Sequence, residues 1–175
     1  MKKLTVLAAI LFLSVFNLVA QINPTIKKGG SMYAVPEAVS VGEWTQPYKI
    51  VMEVMNGVEK KDSLNPSLDR IARLYNLYRH SGVPKENIDI SVMIHFTATP
   101  IIFTDEVYQK KFGVQNPNTA LIDELAANGV KFYVCGQSIY KRKVENEPRN
   151  PNIKVVLSAM YGISILQMKG YAYMP

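Results

Sequence analysis

Five short apolar runs, alternating with segments of helical periodicity, constrain this chain more than any other feature. The runs are Tyr48–Met55 (YKIVMEVM), Ile88–Phe96 (IDISVMIHF), Val130–Cys135 (VKFYVC), Ile153–Leu157 and Tyr171–Met174. They read as strands, the third buried on both faces over most of its length. Between the first two, Asn65-Pro66 opens a helix, with Asn as N-cap and Pro at N1. Leu68, Ile71, Leu74, Tyr75 and Tyr78 recur there at helical spacing. Ser81-Gly82 closes the helix and Pro84 prevents its continuation. Thr97–Pro100 reads as a tip loop and Thr104–Lys111 as a short helix. Asn116-Pro117 then repeats the helix start, with Leu121, Ile122 and Leu125 on the buried face. A short helix follows Cys135, with Ser138 as its N-cap, and a longer one covers Ser158–Met168. The order β-α-β-α-α-β-α-β-α-β, with long crossovers, predicts an α/β fold. Its expected form is a three-layer α/β/α arrangement with a mostly parallel five-stranded sheet.

The first 46 residues do not share this pattern. Lys2 and Lys3 precede an apolar run from Leu4 to Val19, and Ala20 offers a small residue for cleavage. This is the layout of a secretory signal peptide over residues 1–20, which places the mature protein in the periplasm or outside the cell. The run is short for a membrane span, so no stable membrane insertion is expected after cleavage. Residues 1–20 hold two lysines and no acidic residue, so removing them lowers the net charge from +6 to +4. The remaining basic clusters are short and scattered, a solvated surface and not a nucleic-acid track. Residues 21–46, with Gly29-Gly30, Pro24 and Pro36, read as an extended N-terminal arm. Tyr33, Val35 and Trp44 are its candidates for packing. The domain proper spans residues 47–175.

Few motifs carry chemistry. The first strand leads into Asn56-Gly57-Val58-Glu59, not GxGxxG, and there is no P-loop or GxSxG elbow. No cofactor motif is present. One cysteine and two histidines exclude a CxxC pair and give no metal-ligand spacing. That cysteine, Cys135, ends the third strand, and Gly136 follows to turn the chain. In open α/β sheets ligands bind at such tips, and a helix start stabilises a thiolate. A small buried hydrophobe fits the position equally well. His95 ends the second strand. If the two strands are neighbours, its imidazole can depress the thiol pKa and activate it. A plain hydrogen-bonded strand-end histidine is the simpler reading. Glu53, inside the first strand, is unexpected: an active-site carboxylate, or, with more weight, an edge residue reaching solvent or a lysine. His80 near a helix C-terminus reads as surface.

Four stretches carry a resemblance: FYVCGQS with its tip cysteine, the IHF tip of the preceding strand, NPSLDRIARLYNLY, and the closing VVLSAMYGISILQMKGYAYM. In that order and spacing they resemble the DsrE/DsrF-like family of sulfur-relay proteins over roughly residues 47–175. The resemblance implies a compact α/β/α fold with a five-stranded parallel sheet and homo-oligomers, often trimers or hexamers. It implies that Cys135 accepts sulfur as a persulfide from a donor and passes it to an acceptor protein. His95 falls where many members carry His-Gly, and here Phe96 replaces the Gly. The export signal is a second departure and argues against a role in tRNA thiolation. Three functions follow: a sulfur carrier with Cys135 and His95 as its catalytic residues, a non-catalytic oligomeric module binding a small ligand, or a thiol redox sensor.

Overall fold

The computed structural model describes residues 21–42 and 45–175, so residues 1–20, read above as a signal peptide, and Trp44 lie outside the described residues. The arm begins with a two-residue antiparallel ribbon, β1 (Gln21–Ile22) against β2 (Met32–Tyr33). The domain follows as β3 (Tyr48–Val54), α1 (Pro66–His80) and β4 (Ile88–Ile94), then α2 (Asp105–Phe112), α3 (Thr119–Ala127) and β5 (Lys131–Cys135), and finally α4 (Gly136–Lys141), β6 (Ile153–Val156), α5 (Ala159–Met168) and β7 (Ala172–Met174). The five domain strands form one parallel sheet in the order β6-β5-β4-β3-β7. This is the expected fold. From β3 the chain steps outward through β4, β5 and β6, then returns across the sheet to place β7 on the far side of β3.

The two faces of the sheet are unequal. One face carries Ile50, Met52, Val54, Ile90, Val92, Ile94, Phe132 and Val134, and packs on α1 and α3 through Leu68, Ile71, Tyr75, Leu121 and Leu125. The alternate residues face α5: Met93 and Cys135 pack on Ala159, with Tyr133, Val156, Ile163 and Leu166 around them. A helix that is apolar all round belongs in a core. Yet α5 buries only Ala159 fully, and Met160, Tyr161 and Met168 project into solvent.

Asn65 caps α1 as expected, accepting from the backbone N–H of Ser67 and Leu68. His80 is exposed in the last turn of that helix. The Asn116-Pro117 start is displaced: α3 begins at Thr119. Asn116 is buried instead, donating to the carbonyls of Ile101 and Phe103, and accepting from Asn118. It ties the tip loop after β4 to the start of α3. That loop is itself ordered as a 3₁₀ helix, Phe96–Ile102.

The arm is docked, but not by the side chains expected. Tyr33 and Val35 are exposed, while Ile26 and Met32 are buried. The anchor is Asn76 on α1. Its Oδ1 accepts from Thr25 N–H (3.1 Å) and Ile26 N–H (2.7 Å), and its Nδ2 donates to the carbonyls of Ile26 (3.1 Å) and Gly30 (3.0 Å). Glu124 on α3 accepts from the backbone N–H groups of Lys27 and Lys28. Gly30 lies so close to α1 that a Cβ there would sit 2.3 Å from the Ala72 carbonyl carbon.

Candidate functional site

The carboxyl ends of β3, β4, β5 and β7 form a row of tips, and the polar residues singled out by sequence collect there. Cys135 ends β5 and occupies the position preceding α4. The chain turns without positive φ at Gly136. Glycine is needed for a different reason: a Cβ would come within 2.9 Å of the Val156 carbonyl oxygen as β6 leaves the sheet. Ser138 is not the N-cap but lies within α4, where its hydroxyl has another task.

That task is to hold the thiol. Burial pushes the Cys135 thiol up. Hydrogen bonds from the Ser138 hydroxyl and from the backbone N–H groups of Ser138, Ala159 and Gln137 outweigh it, so the thiol is held below its ordinary range. The donors come from the starts of both α4 and α5. Ser138 Oγ also accepts from Phe96 N–H at 3.1 Å. With its lone pair engaged there, the hydroxyl proton is free to point at sulfur. Cys135 is only 5% exposed, less than a strand-tip position suggests, because Met93 and Ala159 close over it.

His95 stands at the adjacent tip. β4 and β5 pair Ile94 with Val134, so His95 and Cys135 are each one residue beyond a paired position. The imidazole is not among the groups that bond the thiol. Its Nε2 lies 2.6 Å from Glu53 Oε2. Glu53 is therefore partly buried and paired with a histidine, not with the lysine that the sequence reading favoured as its partner. Its other oxygen, Oε1, accepts from the Tyr173 hydroxyl at 2.5 Å. Accepting Tyr173's proton and carrying negative charge beside it, Glu53 raises the phenol's pKa. Nothing in the sequence marks Tyr173 as a partner of Glu53: it lies 120 residues away and reaches the carboxylate only because β7 pairs with β3.

Phe96 is the irregular residue of the row. Its φ is +52°, the left-handed region where a side chain costs about 1–2 kcal/mol. The surroundings force it: its N–H goes to Ser138, and its carbonyl oxygen accepts from Arg142 Nε (3.0 Å) and Thr99 Oγ1 (2.7 Å). The residue is 56% exposed. Phenylalanine thus keeps a conformation glycine adopts freely, and presents an exposed aromatic side chain at the β4 tip.

Among the described residues no cluster of His, Cys, Asp and Glu could hold a metal ion. No helix among them is long and apolar enough to cross a membrane. A cleft of about 420 Å³ lies at the β3–β7 tips, lined by Glu53, Met55, Ser67, Arg70 and Tyr173 among others.

Comparison with known proteins agrees on the fold. A protein of unknown function from Methanobacterium thermoautotrophicum, MTH1491, superposes with a TM-score of 0.52 at 18% identity, covering 73% of this chain and 97% of its own. The ychN protein from E. coli gives 0.52 at 18% identity, covering 74% and 97%. No curated protein matches the sequence. The model of the DsrE/DsrF-like family matches residues 49–175, the whole of the parallel-sheet domain, and the chain belongs to that family.

Proposed function

We propose that this protein is an exported carrier of sulfane sulfur, with Cys135 as the atom-bearing residue. The observation that carries the reading is the set of hydrogen-bond donors around Cys135 Sγ, supplied by Ser138, Gln137 and Ala159, which favours thiolate over thiol. Membership of a sulfur-relay family supports it. The reaction is a displacement. The thiolate attacks the outer sulfur of a donor persulfide R–S–SH, forming Cys135–S–SH and releasing R–S⁻. A second thiolate acceptor then removes the same sulfur and regenerates the Cys135 thiolate. Sulfur moves with no net oxidation.

Intact-mass spectrometry of the protein recovered from its native host tests both halves. The mature chain is expected to begin near Gln21 and, after incubation with a persulfide donor, to gain the mass of one sulfur atom. A chain beginning at Met1 overturns export. Absence of the sulfur adduct overturns the carrier reading and leaves the small-ligand module, which the low exposure of Cys135 favours. A mixed disulfide in its place identifies a redox sensor.

The carrier is further proposed to work as a homo-oligomer. Leu157, Met160, Tyr161 and Met168 are all more than half exposed along one side of β6 and α5. Aromatic residues and methionine are enriched in interface cores, and each such side chain removed from water contributes about 1.5–3 kcal/mol. Light scattering at micromolar concentration is expected to give a trimer or hexamer; a monomer mass overturns it.

A further inference from the structure

The hydrogen bonding at the strand tips extends past the thiol to three residues that nothing above assigns to the reaction as a unit. We propose that Glu53 is a positioning residue for His95. Through the Tyr173–Glu53–His95 contacts it fixes the imidazole so that Nδ1 exchanges a proton with Cys135. This rests on the reading of Cys135 as a sulfur-carrying thiol.

The geometry supplies the argument. A carboxylate only accepts hydrogen bonds, and both oxygens of Glu53 are in use, Oε2 by His95 Nε2 and Oε1 by the Tyr173 hydroxyl. By accepting from Nε2–H, the Glu53 carboxylate fixes the neutral imidazole's single proton there and leaves Nδ1 as the acceptor. His95 has extended backbone, φ −159° and ψ −175°, so side-chain alternation continues through it from β4. Counting on from Met93 and Tyr133, which pair across the two strands, His95 and Cys135 fall on the same face of adjacent tips. The tips are also tied together through Phe96 N–H and Ser138 Oγ. Tyr173 comes from β7, so the network crosses three neighbouring strands and reaches the cleft at the β3–β7 tips.

The proton balance is closed. Neutral His95 takes the thiol proton, giving thiolate and imidazolium. After the displacement, the imidazolium returns that proton to the departing R–S⁻. Glu53 stabilises the imidazolium between the two steps. The charged or titratable groups around His95 are Glu53 on β3 and Cys135 on β5. Arg142, the C-cap of α4, bonds the neighbouring Phe96 carbonyl. Tyr173 from β7 stands behind Glu53, with the positive charge of Arg70 on α1 acting on it.

The test is the rate of iodoacetamide alkylation of the native full chain against pH, in a double-mutant cycle. Glu53→Gln is expected to slow labelling at pH 7 about threefold, shifting the profile upward by about half a unit. His95→Ala is expected to give a shift of similar size. Adding Glu53→Gln to His95→Ala is expected to add nothing, because the two act as one unit. Equal shifts from Glu53→Gln with and without His95, or no shift at all, overturn the inference. If Glu53→Gln does not fold, Tyr173→Phe takes its place in the same cycle, with the same criteria. A wild-type protein that gains no sulfur in the mass experiment overturns the carrier reading instead, and the cycle still decides whether Glu53 acts through His95.

Discussion

Asn76→Ala is expected to destabilise the protein by about 3 kcal/mol or more, and to release the N-terminal arm. Asparagine in a helix interior is a poor helix former, so its presence in the middle of α1 needs another cause. The cause is that one fully buried side chain satisfies four backbone groups of a segment with no regular structure around it: the N–H of Thr25 and Ile26, and the carbonyls of Ile26 and Gly30. Alanine leaves these groups without partners where the arm meets α1. Each costs about 1–3 kcal/mol when left buried. Water entering the vacated space recovers part of that, which brings the total toward the lower figure. For a protein of this size the loss lowers Tm by about 10 °C. Calorimetry measures the shift, and limited proteolysis within residues 21–42 reports whether the arm has come away. A fall of under about 2 °C with the arm still protected would show that Ile26 burial alone holds it.

The contrast between arm and domain shows what the sequence makes visible. The five strands were legible because each is a short β-branched or aromatic run closed by turn residues, and hydrophobic periodicity reports burial directly. Ile50, Met52 and Val54, with Ile90, Val92 and Ile94, line one face as alternation requires. The arm was not legible. Its attachment is polar and one-sided: Asn76, Asp69 and Glu124 accept backbone N–H groups of residues 26–30. Such bonds depend on where a loop happens to pass, and leave no periodic trace. The exposed Tyr33 and Val35 misled because apolar character alone does not say which face of an irregular segment turns inward.

The site divides in the same way. Cys135 and His95 were legible as the ends of two apolar runs, and the parallel pairing of β4 with β5 brings their tips side by side. Their partners were not. Glu53 reads as an anomaly inside a strand until β7 delivers Tyr173 to it from the far end of the chain. Only the strand order, which places the last strand beside the first, explains why a strand-interior carboxylate is tolerated there. Phe96 shows a departure working in the other direction. The Gly-to-Phe replacement at the tip casts doubt on the loop geometry, but the loop keeps the left-handed turn and absorbs the strain through three hydrogen bonds.

Ser138→Ala is expected to reduce native alkylation of Cys135 at pH 7 about tenfold, the largest effect on reactivity of any single change that leaves the sulfur in place. The thiolate's hydrogen bonds come from the Ser138 hydroxyl and three backbone N–H groups. The backbone donors survive substitution; the hydroxyl does not. A hydrogen bond to a charged group contributes about 1.5–3 kcal/mol, and 1.36 kcal/mol is one pKa unit, so the thiol should rise by about a unit or more. The pH dependence has a definite sign. The folded-state thiol lies below its unfolded value, so the thiolate's contribution to stability is present above the unfolded pKa and is lost as pH falls through the folded one. Labelling of the native wild-type protein should therefore begin at lower pH than labelling of the denatured chain, and Ser138→Ala should bring the two curves together. Cys135→Ala should abolish both labelling and sulfur uptake while leaving the melting temperature nearly unchanged, since a small side chain at a strand tip leaves little cavity. If iodoacetamide reaches Cys135 only after denaturation, the packing of Met93 and Ala159 over the sulfur dominates, and the residue is core and not carrier.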